Sequence, residues 1–150
     1  MQRELEEPPG DKPPQLSSRR AAVWEAVPDA LWNDWHWQMR HRLTGVADLK
    51  RVLTLTGEEE DGVAQTLQHL RMAITPYFAS LLDPHNPNCP LRRQVVPTTQ
   101  ELVVSQADMA DPLSEDHHSP VPGLVHRYPD RVLVLVTDQC AAYCRHCTRR

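Results

Sequence analysis

Residues 131–147 read Arg131-Val-Leu-Val-Leu-Val-Thr-Asp-Gln-Cys-Ala-Ala-Tyr-Cys-Arg-His-Cys147, and this stretch decides the fold class. Its first part, Arg131 to Thr137, is a continuous apolar run that is rich in β-branched residues and shows no alternation. Such a run predicts a strand buried on both faces, as in a parallel sheet covered by helices. In α/β folds of this type, functional groups collect beyond the carboxyl ends of the strands. The three cysteines lie at that position.

The cysteines Cys140, Cys144 and Cys147 have the spacing C-x3-C-x2-C. Three thiols within eight residues cannot pair as disulfides with good geometry, so the pattern indicates metal binding. Three thiolates on one loop can hold three corners of a [4Fe–4S] cluster and leave the fourth iron open, whereas electron-transfer ferredoxins normally supply four. An open iron can chelate the amino and carboxylate groups of a small molecule. The spacing therefore predicts such a cluster.

A zinc ion is the alternative for this loop, with His146 as its fourth ligand. Zinc modules usually draw their ligands from two separated pairs, and the adjacent residues His146 and Cys147 would bind one tetrahedral ion awkwardly. The cluster is therefore the preferred interpretation. Cys89 stands apart from the loop. We interpret it as a packed or partly exposed thiol.

The chain before Arg131 divides into three segments. Residues 1–20 are rich in acidic residues and proline and predict a flexible N-terminus. Residues 21–83 predict a helical subdomain, with a helix over 29–43, a capping box from Thr56 to Glu59 and a helix that starts at Thr75-Pro76. The stripe that defines the first helix is Trp32, Trp35, Met39 and Leu43, and Trp37 lies off it. Residues 84–130 carry many prolines and predict an irregular wrapping segment, in which Thr98 and Glu101 can cap one helical turn.

The composition restricts the partners. A formal net charge of -4, from 16 basic and 20 acidic residues, disfavours nonspecific binding to nucleic acid or to anionic lipid. No apolar run approaches the roughly 20 residues that a membrane helix requires, and the N-terminus lacks the order of a signal peptide. We expect a cytoplasmic protein.

The sequence around the cysteines resembles the radical S-adenosylmethionine superfamily and, within it, the lysine 2,3-aminomutase family. The superfamily signature is C-x3-C-x2-C with an aromatic residue, here Tyr143, before the second cysteine. The resemblance runs from Trp32 to Arg150 and includes Trp-Asn-Asp-Trp-His-Trp-Gln at 32–38, Leu-Arg-Met-Ala-Ile-Thr-Pro-Tyr at 70–77, Arg-Arg-Gln at 92–94, Ser-Pro-Val-Pro-Gly-Leu at 119–124 and His-Arg-Tyr-Pro-Asp-Arg at 126–131.

This resemblance implies a fold and a chemistry. The fold is an N-terminal helical subdomain followed by the first strand and cluster loop of a partial (β/α) barrel, which would occupy residues 131–150. The cofactors are a [4Fe–4S] cluster, S-adenosylmethionine and pyridoxal phosphate, and the reaction moves the amino group of L-lysine from C2 to C3. The partners are an amino acid substrate and an electron donor such as flavodoxin or ferredoxin. A homo-oligomer is left open.

The resemblance also assigns roles to residues. Cys140, Cys144 and Cys147 match the cluster ligands, and Tyr143 matches an aromatic residue near the cluster or the adenine. Arg149 matches the arginine that binds the substrate carboxylate. Arg127, Arg131 and His146 match positions near the pyridoxal phosphate; surface or structural ion pairs are the alternative for the arginines.

The resemblance implies further elements that this sequence lacks. They are the rest of the barrel, the lysine that anchors pyridoxal phosphate and the acidic residues that recognise the substrate. We therefore expect the chain to be part of a longer protein, with no catalytic residue of its own and inactive alone. Aminomutases for glutamate, arginine or a protein lysine, and a non-catalytic metal-binding module, are the alternative functions.

Overall fold

The computed structural model of the chain describes residues 20–147. Most of the predicted flexible N-terminus, residues 1–19, and the predicted substrate ligand Arg149 lie outside these residues. The described part is a mixture of six α-helices and one two-stranded hairpin, and it contains no barrel. None of its helices is long and apolar enough to cross a membrane.

Short helices make up most of the elements along the chain. The α-helices are α1 Asp29–Trp32, α2 Trp35–Arg40, α3 Val46–Leu49, α4 Gly57–Thr66, α5 Pro76–Ser80 and α6 Pro90–Val95. Three 3₁₀ helices cover Ala22–Trp24, Thr99–Leu102 and Asp116–His118, and the strands are β1 Leu124–Tyr128 and β2 Arg131–Val134.

The predicted strand is present but is not a buried parallel strand. β2 pairs antiparallel with β1, with Leu124 opposite Val134 and Val125 opposite Leu133. All four residues of β2 are exposed, whereas Val125 of β1 is buried. The prediction of burial on both faces is therefore wrong for the described chain.

The predicted helix over 29–43 is divided into two. Asp34 interrupts it and caps α2, since its side chain accepts a hydrogen bond from the backbone amide of His36 at 2.9 Å. The break shifts the helical phase, so Trp37 is buried while Trp35 is 66% exposed. The expected apolar stripe through Trp35 is therefore wrong.

A row of three tryptophans forms one side of the core. Trp32 lies between Trp24 and Trp37, with ring centroids 6.1 and 6.0 Å apart, distances typical of favourable aromatic pairs. Gln38 is buried beside them, donating to the carbonyl of Trp32 and accepting from the amide of Tyr77, both at 2.9 Å. These bonds join α2 to the start of α5. The other buried apolar residues of this core are Leu43, Leu49, Leu53, Val63, Met72, Ile74, Ala79, Leu82, Val95 and Val96.

The predicted capping box at the start of α4 is confirmed. The Glu59 amide donates to Thr56 Oγ1 at 3.2 Å, and the Thr56 amide donates to Glu59 Oε2 at 2.8 Å. The capping box from Thr98 to Glu101 is also present. Both boxes form because each requires contacts over only three residues.

An ion pair between Glu59 and Arg92 joins α4 to α6. Arg92 Nε donates to Glu59 Oε1 at 2.8 Å and Nη2 donates to Oε2 at 2.6 Å, and the Arg92 side chain is fully buried. The same guanidinium donates to the carbonyls of Thr54, Asp83 and Pro84. Helix α6 and strand β1 lie in the segment predicted to be irregular. Their proline-rich context concealed both elements, although Pro90 suits the first position of a helix.

The Glu59 carboxyl makes stability depend on pH. Burial acts to raise the pKa of Glu59, but hydrogen bonds from Arg92 and Thr56 and the Arg92 charge outweigh it and lower the pKa below its ordinary value of 4.5. A lowered carboxyl pKa stabilises the fold above the unfolded pKa, and this stabilisation is lost as the pH falls through the folded one.

We therefore expect the free energy of unfolding in urea to decrease as the pH is lowered below about 4.5, and Glu59→Gln to weaken this decrease. The matched control is Glu58→Gln, at the neighbouring exposed position of α4, which should keep the wild-type pH profile. Identical profiles for all three proteins would contradict the assignment.

Candidate functional site

The cysteine loop, residues 138–147, lies against the helical region formed by α1 to α6. The amide of Tyr143 donates to the carbonyl of Ala73 at 3.1 Å, and the amide of Thr75 donates to the carbonyl of Ala141 at 3.2 Å. Ile74 therefore forms an isolated β-bridge with Ala142, and on its other side it forms a second bridge with Leu43. The loop is attached to the protein through a fully buried residue, because Ile74 has no exposed surface.

The three cysteine side chains line one cavity of about 530 Å³. Cys140 and Cys147 are exposed and Cys144 is half-buried. The thiols of Cys140 and Cys144 both point at the carbonyl of Ala142, at 3.1 and 3.6 Å, so their sulfurs are at most about 6.7 Å apart, the sum of these distances. The remaining lining comes from the chain that leads out of β2, from Ala142 and Tyr143 in the loop, and from Gly123.

The donor set of this cavity fits iron. Three cysteines line one cavity and none is in a disulfide, and thiolate is the ligand that iron–sulfur clusters use. Within residues 20–147 the sulfurs are not drawn together on one point, since no group of three His, Cys, Asp or Glu side chains is close enough to share a metal ion. His146 does not line the cavity, which disfavours it as a fourth zinc ligand.

Tyr143 closes the loop on itself. Its hydroxyl donates to the carbonyl of Asp138 at 2.9 Å, and its ring is buried while still lining the cysteine cavity. Asp138 is also paired with Arg71 at 2.8 Å. The pKa of Asp138 lies below its ordinary value because hydrogen bonds from Arg71 and Gln139, and the Arg71 charge, stabilise the carboxylate. The first residue of the loop, Asp138, therefore carries a carboxylate that is stabilised in its charged form by Arg71.

The two arginines predicted near pyridoxal phosphate lie on the hairpin and do not line the cysteine cavity. Arg127 donates to the carbonyl of Leu113 at 2.8 Å. Arg131 donates to Asp130 at 3.1 Å and its guanidinium lies 5.3 Å from the centroid of the Tyr128 ring. The structure thus brings the cysteines and Tyr143 together, and leaves Arg127 and Arg131 apart from them.

Sequence reasoning missed three arginines that attach the loop to the helical region, namely Arg71, which pairs with Asp138, together with Arg42 and the loop's own Arg145. Arg42 donates to the carbonyl of Cys140 at 2.6 Å, and Arg145 donates to the carbonyl of Arg93 at 2.9 Å. Arg145 also pairs with Glu101 at 2.5 Å. The position of Arg145 between two motif cysteines is a signal that could have identified it. Arg42 has no comparable signal, because it is 98 residues away from Cys140.

Comparison with known proteins gives a consistent result. The chain is 59% identical over 135 residues to an L-lysine 2,3-aminomutase from Clostridium subterminale and 52% identical over 137 residues to one from Bacillus subtilis. These matches cover 90% and 91% of the chain but only 32% and 29% of the relatives. The chain thus spans about a third of the length of these curated relatives.

A relative with another named substrate is less similar. A glutamate 2,3-aminomutase from Clostridioides difficile is 40% identical over 119 residues, which cover 79% of the chain and 28% of that relative. No protein-family model matches the chain. The named relatives are aminomutases, which are isomerases, and the similarity extends through the helical region as well as the cysteine loop. The chain therefore belongs to the lysine 2,3-aminomutase family.

Proposed function

We propose that the chain forms part of a radical S-adenosylmethionine enzyme that moves the amino group of L-lysine from C2 to C3. The observation that carries this proposal is that Cys140, Cys144 and Cys147 line one cavity beside the end of β2. Four relatives named for L-lysine are 52–61% identical to the chain, against 40% for the one named for glutamate, and three further relatives named for L-lysine are 38–43% identical. We therefore prefer L-lysine to glutamate as the substrate.

The three cysteines would hold a [4Fe–4S] cluster through their thiolates and leave one iron open. When bound, the cluster supplies an electron that cleaves S-adenosylmethionine, and pyridoxal phosphate binds the amino group that migrates. The chain's own contribution is to place three sulfurs around one cavity, to line it with Tyr143 and to shield the back of the loop with buried apolar residues. Cluster potentials depend on such surroundings.

The other assigned residues would act around this centre. We propose that Arg149 binds the substrate carboxylate, for which a planar bidentate cation is suited. Arg127, Arg131 and His146 would contact pyridoxal phosphate. Since Arg127 and Arg131 lie on an exposed hairpin, their side chains are accessible to a phosphate group.

We also propose that β2 is the first strand of a (β/α) barrel. Its apolar side chains are exposed, with Val134 at 55% and Val136 just beyond it at 89%. Exposed apolar surface of this kind is typical of a strand that further elements cover. A cytoplasmic location and an electron donor such as flavodoxin or ferredoxin complete the proposal.

Anaerobic reconstitution with iron and sulfide tests the cluster. We expect about four irons per chain and a broad charge-transfer absorption, since the motif supplies three thiolates to a cubane. Cys144→Ala should lose most of both signals. Cys89→Ala is the matched control, because Cys89 is half-buried at the start of α6 and away from the loop. Its iron content should match the wild type.

The same preparation distinguishes the other outcomes. Stoichiometric, tightly bound zinc with no iron–sulfur absorption would contradict the cluster and favour a metal-binding module. Addition of S-adenosylmethionine to the reduced cluster should change its electron paramagnetic resonance spectrum, because the open iron gains two ligands. An unchanged spectrum would argue against the open coordination site.

A further inference from the structure

We propose that Arg42 is a positioning residue that fixes the Cys140 end of the cysteine loop to the helical region. The inference rests on the proposed function, because it concerns how a ligand of the proposed cluster is held. It goes beyond that function in assigning a role to a residue outside the motif. Arg42 does not line the cysteine cavity, so it would act through the loop backbone.

The guanidinium of Arg42 joins two parts of the chain. Its Nε donates to the carbonyl of Met39 at 2.9 Å, which holds the side chain against the last turn of α2. Its Nη1 donates to the carbonyl of Cys140 at 2.6 Å, and its Nη2 donates to the side-chain oxygen of Gln139 at 3.2 Å. One rigid group thus contacts the helix on one edge and the loop on the other.

This arrangement requires a guanidinium. Arginine presents its donors in a fixed planar fork, whereas lysine offers a flexible point charge. A lysine at position 42 could keep one of the three contacts but could not bridge Met39, Gln139 and Cys140 together. The geometry therefore predicts partial function for lysine and loss for an uncharged side chain.

Arg42 lies behind the loop as seen from the cysteines. It lines a separate cavity of about 430 Å³, and Gln139 and Tyr143 line both this cavity and the one that contains the thiols. The loop thus borders both spaces through these two residues. A hydrogen bond from Arg42 to the Cys140 carbonyl can therefore fix the Cys140 backbone and, through it, the position of the Cys140 sulfur.

The other end of the loop has its own attachment. The amide of Arg145 donates to the carbonyl of Gln94 at 2.8 Å, and its side chain donates to the carbonyl of Arg93 at 2.9 Å. The bridge at Ala142 holds the middle. Among the hydrogen bonds of the described residues, the one from Arg42 connects the Cys140 peptide to the helical region. Arg71 holds Asp138, two residues earlier, at 2.8 Å, so removal of Arg42 should loosen the Cys140 peptide while Asp138 and Ala142 stay attached.

Selective freedom at one ligand has a measurable consequence. Groups around a metal site orient its ligands, and small displacements of a ligand alter the metal affinity and the electronic properties of the site. Loss of such a group typically lowers metal affinity by about 10–100-fold. Loss of Arg42 should thus lower cluster retention and change the spectrum of the cluster that remains, while the fold persists.

The test compares Arg42→Gln, Arg42→Lys and the matched control Arg40→Gln, which changes an exposed arginine at the end of α2. In the chain without metal, hydrogen exchange at the Thr75 amide, which donates to the Ala141 carbonyl next to Cys140, should be about tenfold faster in Arg42→Gln, the loss expected for a charged hydrogen bond. Exchange at Leu53, in the core, should stay unchanged. Arg42→Lys should lie between Arg42→Gln and the wild type.

The second readout follows reconstitution. Arg42→Gln should show lower iron retention on dilution and altered g-values of the reduced cluster, with partial recovery in Arg42→Lys and none of these changes in Arg40→Gln. Wild-type exchange and wild-type spectra in Arg42→Gln would overturn the proposal. Faster exchange throughout the core would overturn it as well, since Arg42 would then be a general structural residue. Failure of the proposed function would appear differently: the wild type would take up no iron, while the exchange difference between the variants persisted.

Discussion

Arg92→Met is expected to lower the free energy of unfolding by about 3–5 kcal/mol, the usual cost of removing one partner of a buried ion pair. The variant would leave the buried carboxylate of Glu59 without its guanidinium, and the carbonyls of Thr54 and Asp83 without the Arg92 donor, while the Pro84 carbonyl keeps its bond from the Thr54 amide. Buried polar groups that lose their partners bear the full cost of leaving water. Urea unfolding monitored by circular dichroism at pH 7 measures the change.

A neighbouring ion pair supplies the control for this prediction. Lys50 pairs with Glu60 at 2.7 Å, one position along α4 from Glu59, but both side chains are substantially exposed. Lys50→Met should therefore cost at most about 1 kcal/mol. A similar loss in the two variants would show that burial does not determine the importance of Arg92.

The double variant Arg92→Met with Glu59→Leu separates the charge from the packing. Replacing both members of a buried pair by apolar residues is often close to neutral, so we expect it to recover a large part of the lost stability. No recovery would mean that the carbonyl contacts of Arg92 dominate. The result bears on the site, because α6 provides the carbonyls of Arg93 and Gln94 that hold Arg145 in the cysteine loop.

Gly62→Ala is expected to destabilise the protein by about 3 kcal/mol, at the upper end of the usual range for overpacking. A Cβ at position 62 would lie 2.4 Å from the Cα of Thr98 and 2.5 Å from its carbonyl carbon. These are backbone atoms of the segment that starts the Thr99–Leu102 helix, so they cannot rotate away. The clash outweighs the roughly 1 kcal/mol by which alanine normally favours a helix over glycine.

Gly57→Ala is the matched control, since Gly57 is the first residue of the same helix and a Cβ there meets nothing within 4 Å. We expect it to be neutral or to stabilise by up to about 1 kcal/mol. Thermal and urea unfolding of the two variants measure the difference. Equal stability of both variants would contradict the close approach of α4 to Thr98.

Local features of this fold could be predicted from the sequence. The capping boxes at Thr56 and Thr98 and the helix that starts at Pro76 form as expected, because each depends on residues within one turn. Which faces of α1 and α2 are buried could not be predicted. The apolar stripe favours one continuous helix, but the Asp34 cap ends the first helix and starts a second one. The cap buries Trp37 and exposes Trp35.

The candidate site shows the same division at longer range. The sequence by itself determined the three cysteines, their spacing and the family of the chain, because these are properties of one short contiguous loop and of the sequence segments that flank it. Only the tertiary structure decided what holds that loop. Arg42 contacts the Cys140 carbonyl across 98 positions, and Arg145 contacts Arg93 across 52, distances along the chain over which no periodicity or motif carries information. Such contacts depend on how α2 and α6 pack, and packing is settled by the whole core at once.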